Sequence, residues 1–304
     1  MQEAMKKEDL EVLAPVNLPP DPNPNELRFA PPAGACDTHF HIFGPPHLFP
    51  FVRDRRYTPP ACPIEHYLAI ARCLGIQRAV LTPSFAHGFD TASMLNALQG
   101  RETFLRGMIW ADPDITKDDL GDLYTKGVRG IRFNCFPKWQ GRLDRGFVLE
   151  YVEKLPAGDW VLDFFIESGS IKGLTELATE LPYPVVVDHF AFLDADRSAG
   201  DIHLRNLLEL CEQPNVWMKI SGANRLMTRG ARYEDVVTVA HALVERSASR
   251  LIWGSDWPHT DVFVPGNVPN DGDLMNMLID FVPDVTTRNR ILADNPARLF
   301  GFGS

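Results

Sequence analysis

Long apolar runs are missing from this chain. No stretch approaches the ~18 consecutive apolar residues that a membrane-spanning helix needs. The charged start, Met1–Glu11, has no apolar segment behind it, so no signal peptide is expected. Cysteine is sparse. Cys36, Cys62, Cys73, Cys135 and Cys211 are odd in number, and no pair has C-x-x-C spacing. That argues against a disulfide framework or a structural zinc site and favours a reducing compartment, so the cytoplasm is the expected location. Glycine-rich phosphate loops are absent: neither G-x-G-x-x-G nor G-x-x-x-x-G-K-[ST] occurs, which argues against an open nucleotide-binding sheet. Positive charge is in deficit, with a formal net charge of −10. This argues against nucleic acid and anionic membranes as partners. An anionic small molecule stays open, because a pocket can be locally basic.

What is present suits a sizeable core: 304 residues, 45% hydrophobic and 23% charged. Residues 1–33 are rich in proline and asparagine and read as an extended arm, unable to form an interior helix or central strand. From Ala35 onward, apolar β-branched runs alternate with longer segments at helical spacing. The strands expected are Ala35–Phe43, Arg78–Pro83, Leu105–Ala111, Val128–Asn134, Trp160–Glu167, Val185–Phe190, Val216–Ser221 and Leu251–Ser255. The helices expected are Pro63–Leu74, Thr91–Gln99, Lys117–Lys126, Gly146–Lys154, Ile171–Glu180, His203–Cys211 and Tyr233–Arg246. Asp273–Phe281, Thr286–Ala293 and Asn295–Phe300 close the chain. Eight strands, each followed by a helix, predict a single-domain (β/α)8 TIM barrel over residues 34–304. The nearly continuous apolar strands fit a parallel sheet covered on both faces. No repeat or linker divides it.

Sites in this fold lie at the C-terminal strand ends. Strand 1 ends in Asp37-Thr-His-Phe-His41, and a period of two puts His39 and His41 on one face with Phe40 on the other. Strand 2 contributes Ser84 with His87 beyond, strand 3 Asp112, strand 4 Arg132 with Lys138 in its loop, and strand 5 Glu167. Strand 6 contributes Asp188 and His189, strand 7 Lys219 and Ser221 with Arg225 in its loop, and strand 8 Asp256. Three imidazoles and a carboxylate, His39, His41, His189 and Asp256, can bind a divalent metal or polarise a carbonyl. The Asp can also take a proton from water and return it to a leaving oxygen. Arg132, Lys138 and Arg225 can hold a carboxylate, the two Arg bidentately. Each has a plainer reading. A lone strand-end His is often only a satisfied polar group; Glu167 and Lys219 can be a salt bridge; Asp188 reads as a structural acceptor orienting a neighbour. His47, His66, His203 and His241 read as surface or helix residues, and Cys135 as a small buried residue rather than a reactive thiol. Tyr57, in the long loop after strand 1, can reach over the barrel mouth or simply pack.

These residues resemble the amidohydrolase superfamily, in the branch holding 2-pyrone-4,6-dicarboxylate lactonase and other sugar- and muconolactone hydrolases. The matching pieces run in order: Asp37-Thr-His-Phe-His41, Arg55-Arg-Tyr-Thr-Pro59, Gly127-Val-Arg-Gly-Ile-Arg-Phe-Asn134, Val185-Val-Val-Asp-His189, Asn224-Arg-Leu226, Trp253-Gly-Ser-Asp-Trp-Pro-His259, Asn270-Asp-Gly272 and Asp294-Asn-Pro-Ala-Arg-Leu299. The resemblance implies a (β/α)8 barrel that hydrolyses a cyclic ester. It puts His39, His41, His189 and Asp256 on catalytic positions, and Tyr57, Arg132 and Arg225 on substrate-carboxylate positions; Ser84, read from its strand end, and Lys138 are further substrate-binding candidates. It leaves the cofactor open: none, as in the pyrone lactonase, or one zinc or manganese. Arg132 and Asn134 stand where binuclear relatives have a bridging residue, and Phe165 and Glu167 where they have a strand-5 His, so the metal site is mononuclear at most. Phe165, Lys138 and Phe192 replace a Tyr and two Arg of the pyrone lactonase pattern. A dicarboxylate should then bind less well, and a lactone with fewer or differently placed carboxylates is expected. The alternatives are a metal-dependent decarboxylase of an unsaturated or aromatic acid, and a non-catalytic binding barrel. The expected partner is a small-molecule lactone, with a homo-oligomer left open.

Overall fold

In the computed structural model, which describes residues 14–193 and 202–303, eight strands form one parallel sheet in sequence order. They are β1 Cys36–Phe40, β2 Arg78–Leu81, β3 Leu105–Trp110, β4 Val128–Asn134, β5 Val161–Phe165, β6 Val185–Val187, β7 Val216–Lys219 and β8 Leu251–Ile252. Between them lie α1 Ile64–Cys73, α2 Ala92–Leu98, α3 Lys117–Thr125, α4 Arg145–Lys154, α5 Ile171–Ala178, α6 Ile202–Glu212, α7 Ala223–Thr228 and α8 Tyr233–Ser247. Four short helices end the chain: α9 Asp271–Asn276, α10 Leu278–Phe281, α11 Val285–Asn289 and α12 Asn295–Phe300.

The helices form for local reasons and dock for apolar ones. Thr116 and Asp119 make a reciprocal capping box at the start of α3, and the Asp144 carboxylate caps α4 at Phe147 N–H. In α1 the buried side chains are Ile64, Tyr67, Ile70 and Ala71, a stripe at helical spacing that faces the sheet. Phe40, pointing outward from β1, stacks on Tyr67 with ring centroids 3.5 Å apart.

The sheet closes where β1 meets the segment after β8. Thr38 N–H donates to Trp253 O (3.0 Å), Asp256 N–H to His39 O (2.8 Å) and His41 N–H to Trp257 O (2.7 Å). These bonds explain one of two differences from expectation. Strands 1 and 8 are shorter than their apolar runs because their ends are used for closure rather than for a regular ladder. The segment expected as one helix from Asp273 to Phe281 is split into α9 and α10. Helix α7, which carries Arg225, lacks an apolar period and was not expected.

Inside the barrel the side chains are layered. The lower layer is apolar: Cys36, Val80, Met108, Val161, Val186, Trp217 and Ile252. Two residues further along four neighbouring strands the layer becomes ionic, with Arg132, Asp163, Asp188 and Lys219, all buried. The functional mouth stands on this charged floor.

Of the arm expected at residues 1–33, residues 1–13 lie outside the described residues. From Ala14 to Pro32 there is no helix or named strand; Val16 bridges Thr58 in parallel. Asn17 is buried and its carboxamide accepts from Val262 N–H at 2.9 Å. Asn25 N–H donates to Asn270 Oδ1 at 2.8 Å, and Arg28 N–H to Asn276 Oδ1 at 2.8 Å.

Candidate active site

A cavity of about 480 Å³ opens at the C-terminal ends of the strands. At its base three imidazoles converge. Nε2 of His39 and Nε2 of His41 are 3.3 Å apart. Asp256 Oδ1 lies 3.8, 3.5 and 3.9 Å from Nε2 of His39, His41 and His189. All four side chains are nearly inaccessible to solvent.

The convergence is built from behind. The other ring nitrogen of each imidazole is taken up by the barrel. His41 Nδ1 sits 2.9 Å from the Thr82 carbonyl, His189 Nδ1 2.9 Å from Ser221 Oγ, and His39 Nδ1 3.2 Å from Asp188 Oδ1 and 3.1 Å from Lys219 Nζ. Each Nε2 is thereby turned toward the cavity. Two glycines allow the close backing. A Cβ on Gly254 would come within 2.6 Å of His39 Cβ, and one on Gly222 within 2.9 Å of His189 Nδ1.

The backbone is strained at this point. His189, Phe190, Ala191 and Phe192 all have positive φ (48°, 54°, 52° and 45°), and Asp256 has φ 63°. Left-handed conformations cost L-residues about 1–2 kcal/mol each. The turn after β6 accepts that cost and brings the His189 ring to 4.6 Å from that of His39.

Burial sets the protonation. It holds the His39 imidazole well below its ordinary value, lowers His41, and brings His189 down to about 4. All three are neutral at pH 7. Burial alone would raise the Asp256 carboxyl, but the Arg225 guanidinium and the neighbouring imidazoles outweigh it, and the group is held well below the carboxylate range. Arg225 Nε donates to Asp256 Oδ2, so only Oδ1 faces the imidazoles. Burial pushes the Tyr57 phenol up to about 12, which keeps it a proton donor.

Most of the residues singled out in the sequence come together here. His39, His41, Tyr57, Ser84, Arg132, Lys138, His189, Arg225 and Asp256 all line the cavity, and Glu167 joins them on the wall. Their freedom differs. Arg132 pairs with Asp188 and Asp163 and donates to Pro83 O, so its guanidinium serves the floor of the site rather than standing open to a substrate carboxylate. Lys138 sits at the rim, 3.1 Å from Asp261 and over the Trp139 ring. The expected Glu167–Lys219 salt bridge is not what forms: Lys219 pairs with Asp163 and Asp188, both inside the barrel. His87 packs with Phe43 and Phe51, outside the cavity lining. Asp112 is also outside the lining; its carboxylate accepts from Asp114 N–H. His47, His66, His203 and His241 are likewise outside it. Cys135 is buried in the core, its thiol raised to about 12 by burial.

Several contributors were not foreseen. Asp163 could have been noticed as a lone charge inside the apolar strand Val161-Leu-Asp-Phe-Phe165. Asp37 fastens the end of β1. It accepts from His39 N–H and Ser255 N–H on Oδ1, and from Ser255 Oγ–H and Tyr67 O–H on Oδ2. Asn224, in α7, and Arg229, at its C-terminal end, also line the cavity; this short helix carries no periodic signal. Among the described residues, Asn224 Oδ1 is buried without a hydrogen-bond partner. Phe165 and Phe192, singled out in the sequence as replacing polar residues, join Phe136 in an aromatic wall continued by Phe85 and Trp139.

The donor atoms of His39, His41 and Asp256 also suit one divalent metal; His189 does not join that set. Imidazole and carboxylate ligands at about 2.0–2.1 Å in a tetrahedron lie about 3.3–3.4 Å apart, and the three spacings among His39, His41 and Asp256 are 3.3, 3.5 and 3.8 Å. Donor type and spacing therefore fit a mononuclear centre.

A parallel barrel with imidazoles and a carboxylate gathered at its C-terminal mouth defines a hydrolase-type enzyme barrel. The chain belongs to the amidohydrolase family, whose model matches residues 36–302. It is 40% identical to 4-sulfomuconolactone hydrolase of Rhizobium radiobacter, over 90% of this chain and 92% of that protein. It is 31% identical to 2-pyrone-4,6-dicarboxylate hydrolase of Comamonas testosteroni, over 91% and 93%. Among solved structures, one from Acinetobacter baumannii, described as a probable 2-pyrone-4,6-dicarboxylic acid hydrolase with citric acid bound, superposes with a TM-score of 0.73. It is 25% identical and covers 88% of this chain and 100% of its own.

Proposed function

We propose that this enzyme hydrolyses a planar, unsaturated lactone of the muconolactone kind, with anionic substituents placed differently from those of pyrone dicarboxylate. The observation that carries the reading is the meeting of three imidazole Nε2 atoms and Asp256 Oδ1 at the base of one cavity. The lactone-acting relatives support the reaction class. The aromatic wall supports the ring type. A flat, conjugated ring can stack on Phe165, Phe136 or Phe192, whereas a polyhydroxylated ring would leave hydroxyls facing phenyl faces without partners. Arg225, Arg229 and Lys138 supply positive charge near the open end for an anionic group. The relation to a sulfomuconolactone hydrolase makes a sulfonate or a carboxylate the natural substituent to test.

In the mechanism, the lactone carbonyl oxygen lies against the imidazole Nε2 atoms. Asp256, ionised throughout the neutral range, accepts a proton on Oδ1 from a water that attacks the carbonyl carbon. The oxyanion is stabilised where the imidazoles converge, in a site that excludes bulk water. The ring C–O bond then breaks, and Asp256 returns its proton to the departing ring oxygen. Arg225, bound to Asp256 Oδ2, keeps the carboxylate oriented. Tyr57 donates from the mouth, and Phe165 and Phe192 hold the ring. Should the enzyme use a divalent metal, His39, His41 and Asp256 would hold it with His189 beside them, and it would supply Lewis-acid polarisation of the carbonyl and a more acidic water.

The test is turnover of a lactone panel by purified protein: 4-sulfomuconolactone, carboxymuconolactones, pyrone dicarboxylate and a sugar lactone, with ring-opened acid measured by chromatography. Preference for a muconolactone over pyrone dicarboxylate is expected; preference for the dicarboxylate or the sugar would refute the substrate class. Asp256→Asn should remove turnover, by at least about 10⁴-fold, while a product analogue still binds by calorimetry. Retained turnover would sink the role given to Asp256. Metal content of the same preparation, with activity before and after chelation, separates metal-dependent from metal-free hydrolysis.

A further inference from the structure

The buried Lys219 lies beneath the imidazoles, is not itself part of the cavity lining, and has no part in the steps above. Its surroundings fix where its protons go. The ammonium group has three N–H bonds, and three acceptor atoms stand around it: Asp163 Oδ2, Asp188 Oδ1 at 2.7 Å and His39 Nδ1 at 3.1 Å. Lys219 is fully buried, so water cannot serve an unused N–H. Were His39 protonated on Nδ1, two N–H groups would face each other across 3.1 Å in the barrel interior. The Asp188 carboxylate is meanwhile supplied by Lys219 on Oδ1 and by Arg132 on Oδ2.

The next ring agrees with this. His41 Nδ1 faces a backbone carbonyl, which can only accept, so His41 carries its proton on Nδ1 and presents a bare Nε2. That bare nitrogen is 3.3 Å from His39 Nε2. With its proton on Nε2, His39 donates to it, and the contacts from Lys219 Nζ through His39 and His41 to the Thr82 carbonyl each pair a donor with an acceptor; the 3.2 Å approach of His39 Nδ1 to Asp188 Oδ1 is then bridged by the Lys219 ammonium, which donates to both.

We infer that in the metal-free enzyme Lys219 is a positioning residue that holds His39 as the Nε2–H tautomer, so that His39 presents a hydrogen-bond donor at the base of the cavity. This rests on the lactonase reading only in its consequence. When a lactone binds, the His39 Nε2–H is free to turn from His41 to the carbonyl oxygen and to the oxyanion that follows. Asp163 and Asp188 are needed because a lone buried ammonium would be too costly to keep charged. Together with Arg132 they leave the layer with balanced charge.

The tautomer can be read without any substrate. In chelator-treated protein with nitrogen-15-labelled histidine, long-range proton–nitrogen spectra distinguish Nδ1–H from Nε2–H rings, and His39→Asn identifies the signal. The expected result in the unmodified protein is His39 as Nε2–H and His41 as Nδ1–H; a His39 protonated on Nδ1 would overturn the inference. Lys219→Met should shift His39 to Nδ1–H, bonded to Asp188, and lower kcat about 100-fold, the typical effect of losing one oxyanion donor, with KM changed less than about threefold. If that variant does not fold, the charge-balanced Lys219→Met/Asp163→Asn pair makes the same test. A folded variant that keeps both tautomer and kcat would also overturn the inference. If no lactone in the panel is turned over but His39 is Nε2–H, the tautomer assignment stands and only the lactonase reading falls.

Discussion

His189 shows how far the fold can move a single group. Its imidazole is brought from an ordinary 6.5 to about 4, chiefly by burial. In the unfolded chain it takes up its proton near 6.5; in the folded one it resists until about 4. The unfolded state therefore binds more protons in that window. The contribution is complete above about 6.5 and is lost as pH falls toward 4. Asp37 and Asp163, raised to about 6 mainly by burial, act in the opposite direction between about 6 and 3.8. Comparison with a variant isolates the imidazole. Between pH 7 and 5, chelator-treated wild type should lose on the order of 2 kcal/mol more stability than His189→Asn, measured by urea unfolding at both pH values. Parallel losses would show that the residue is not held neutral.

Among the elements, the connections after β6, β7 and β8 matter more than the strands. The left-handed turn His189–Phe192 is tolerated because its side chains are buried among their neighbours, and Gly222 at the start of α7 leaves room for it. Gly222 has φ 69°, and a Cβ there would press on the His189 ring. Gly222→Ala should therefore destabilise the protein by about 1–3 kcal/mol and reduce kcat at least about tenfold, read from thermal unfolding and steady-state kinetics. An unchanged kcat would mean that His189 does not need its observed position. The eight strands and most helices were legible because apolar period and strand length survive in a covered parallel sheet. Helix α7 was not, since its six residues carry no periodic pattern, and the closing bonds between β1 and the segment after β8 join residues more than two hundred positions apart.

At the scale of the whole molecule, the N-terminal segment is tied to the functional end of the barrel. Asn17 is buried; its Oδ1 accepts from Val262 N–H and its Nδ2 donates to His259 O at 3.3 Å. His259 N–H in turn bonds Asp256 O at 2.8 Å. The chain of contacts thus ends on the carboxylate loop. Asn17→Ala leaves a buried N–H and a carbonyl unmatched and should cost about 1–3 kcal/mol. It should also lower turnover of the lactone that the panel selects, although Asn17 is not part of the cavity lining. Activity and unfolding midpoints measured together check this; loss of neither would show that the segment is a passive covering.

By itself the sequence determined the alternation that makes a parallel barrel, the pairing of His39 with His41 by a period of two, and the polar residues at strand ends. All three are local properties of residue type and spacing. Only the tertiary structure decided how those groups are used. It bound Arg132 to Asp163 and Asp188, set Lys219 behind His39, engaged one Asp256 oxygen with Arg225, and turned each Nε2 toward one cavity. Such choices depend on which charges meet across the barrel interior, and in a medium without water each buried charge must be answered by whatever partner the fold brings beside it.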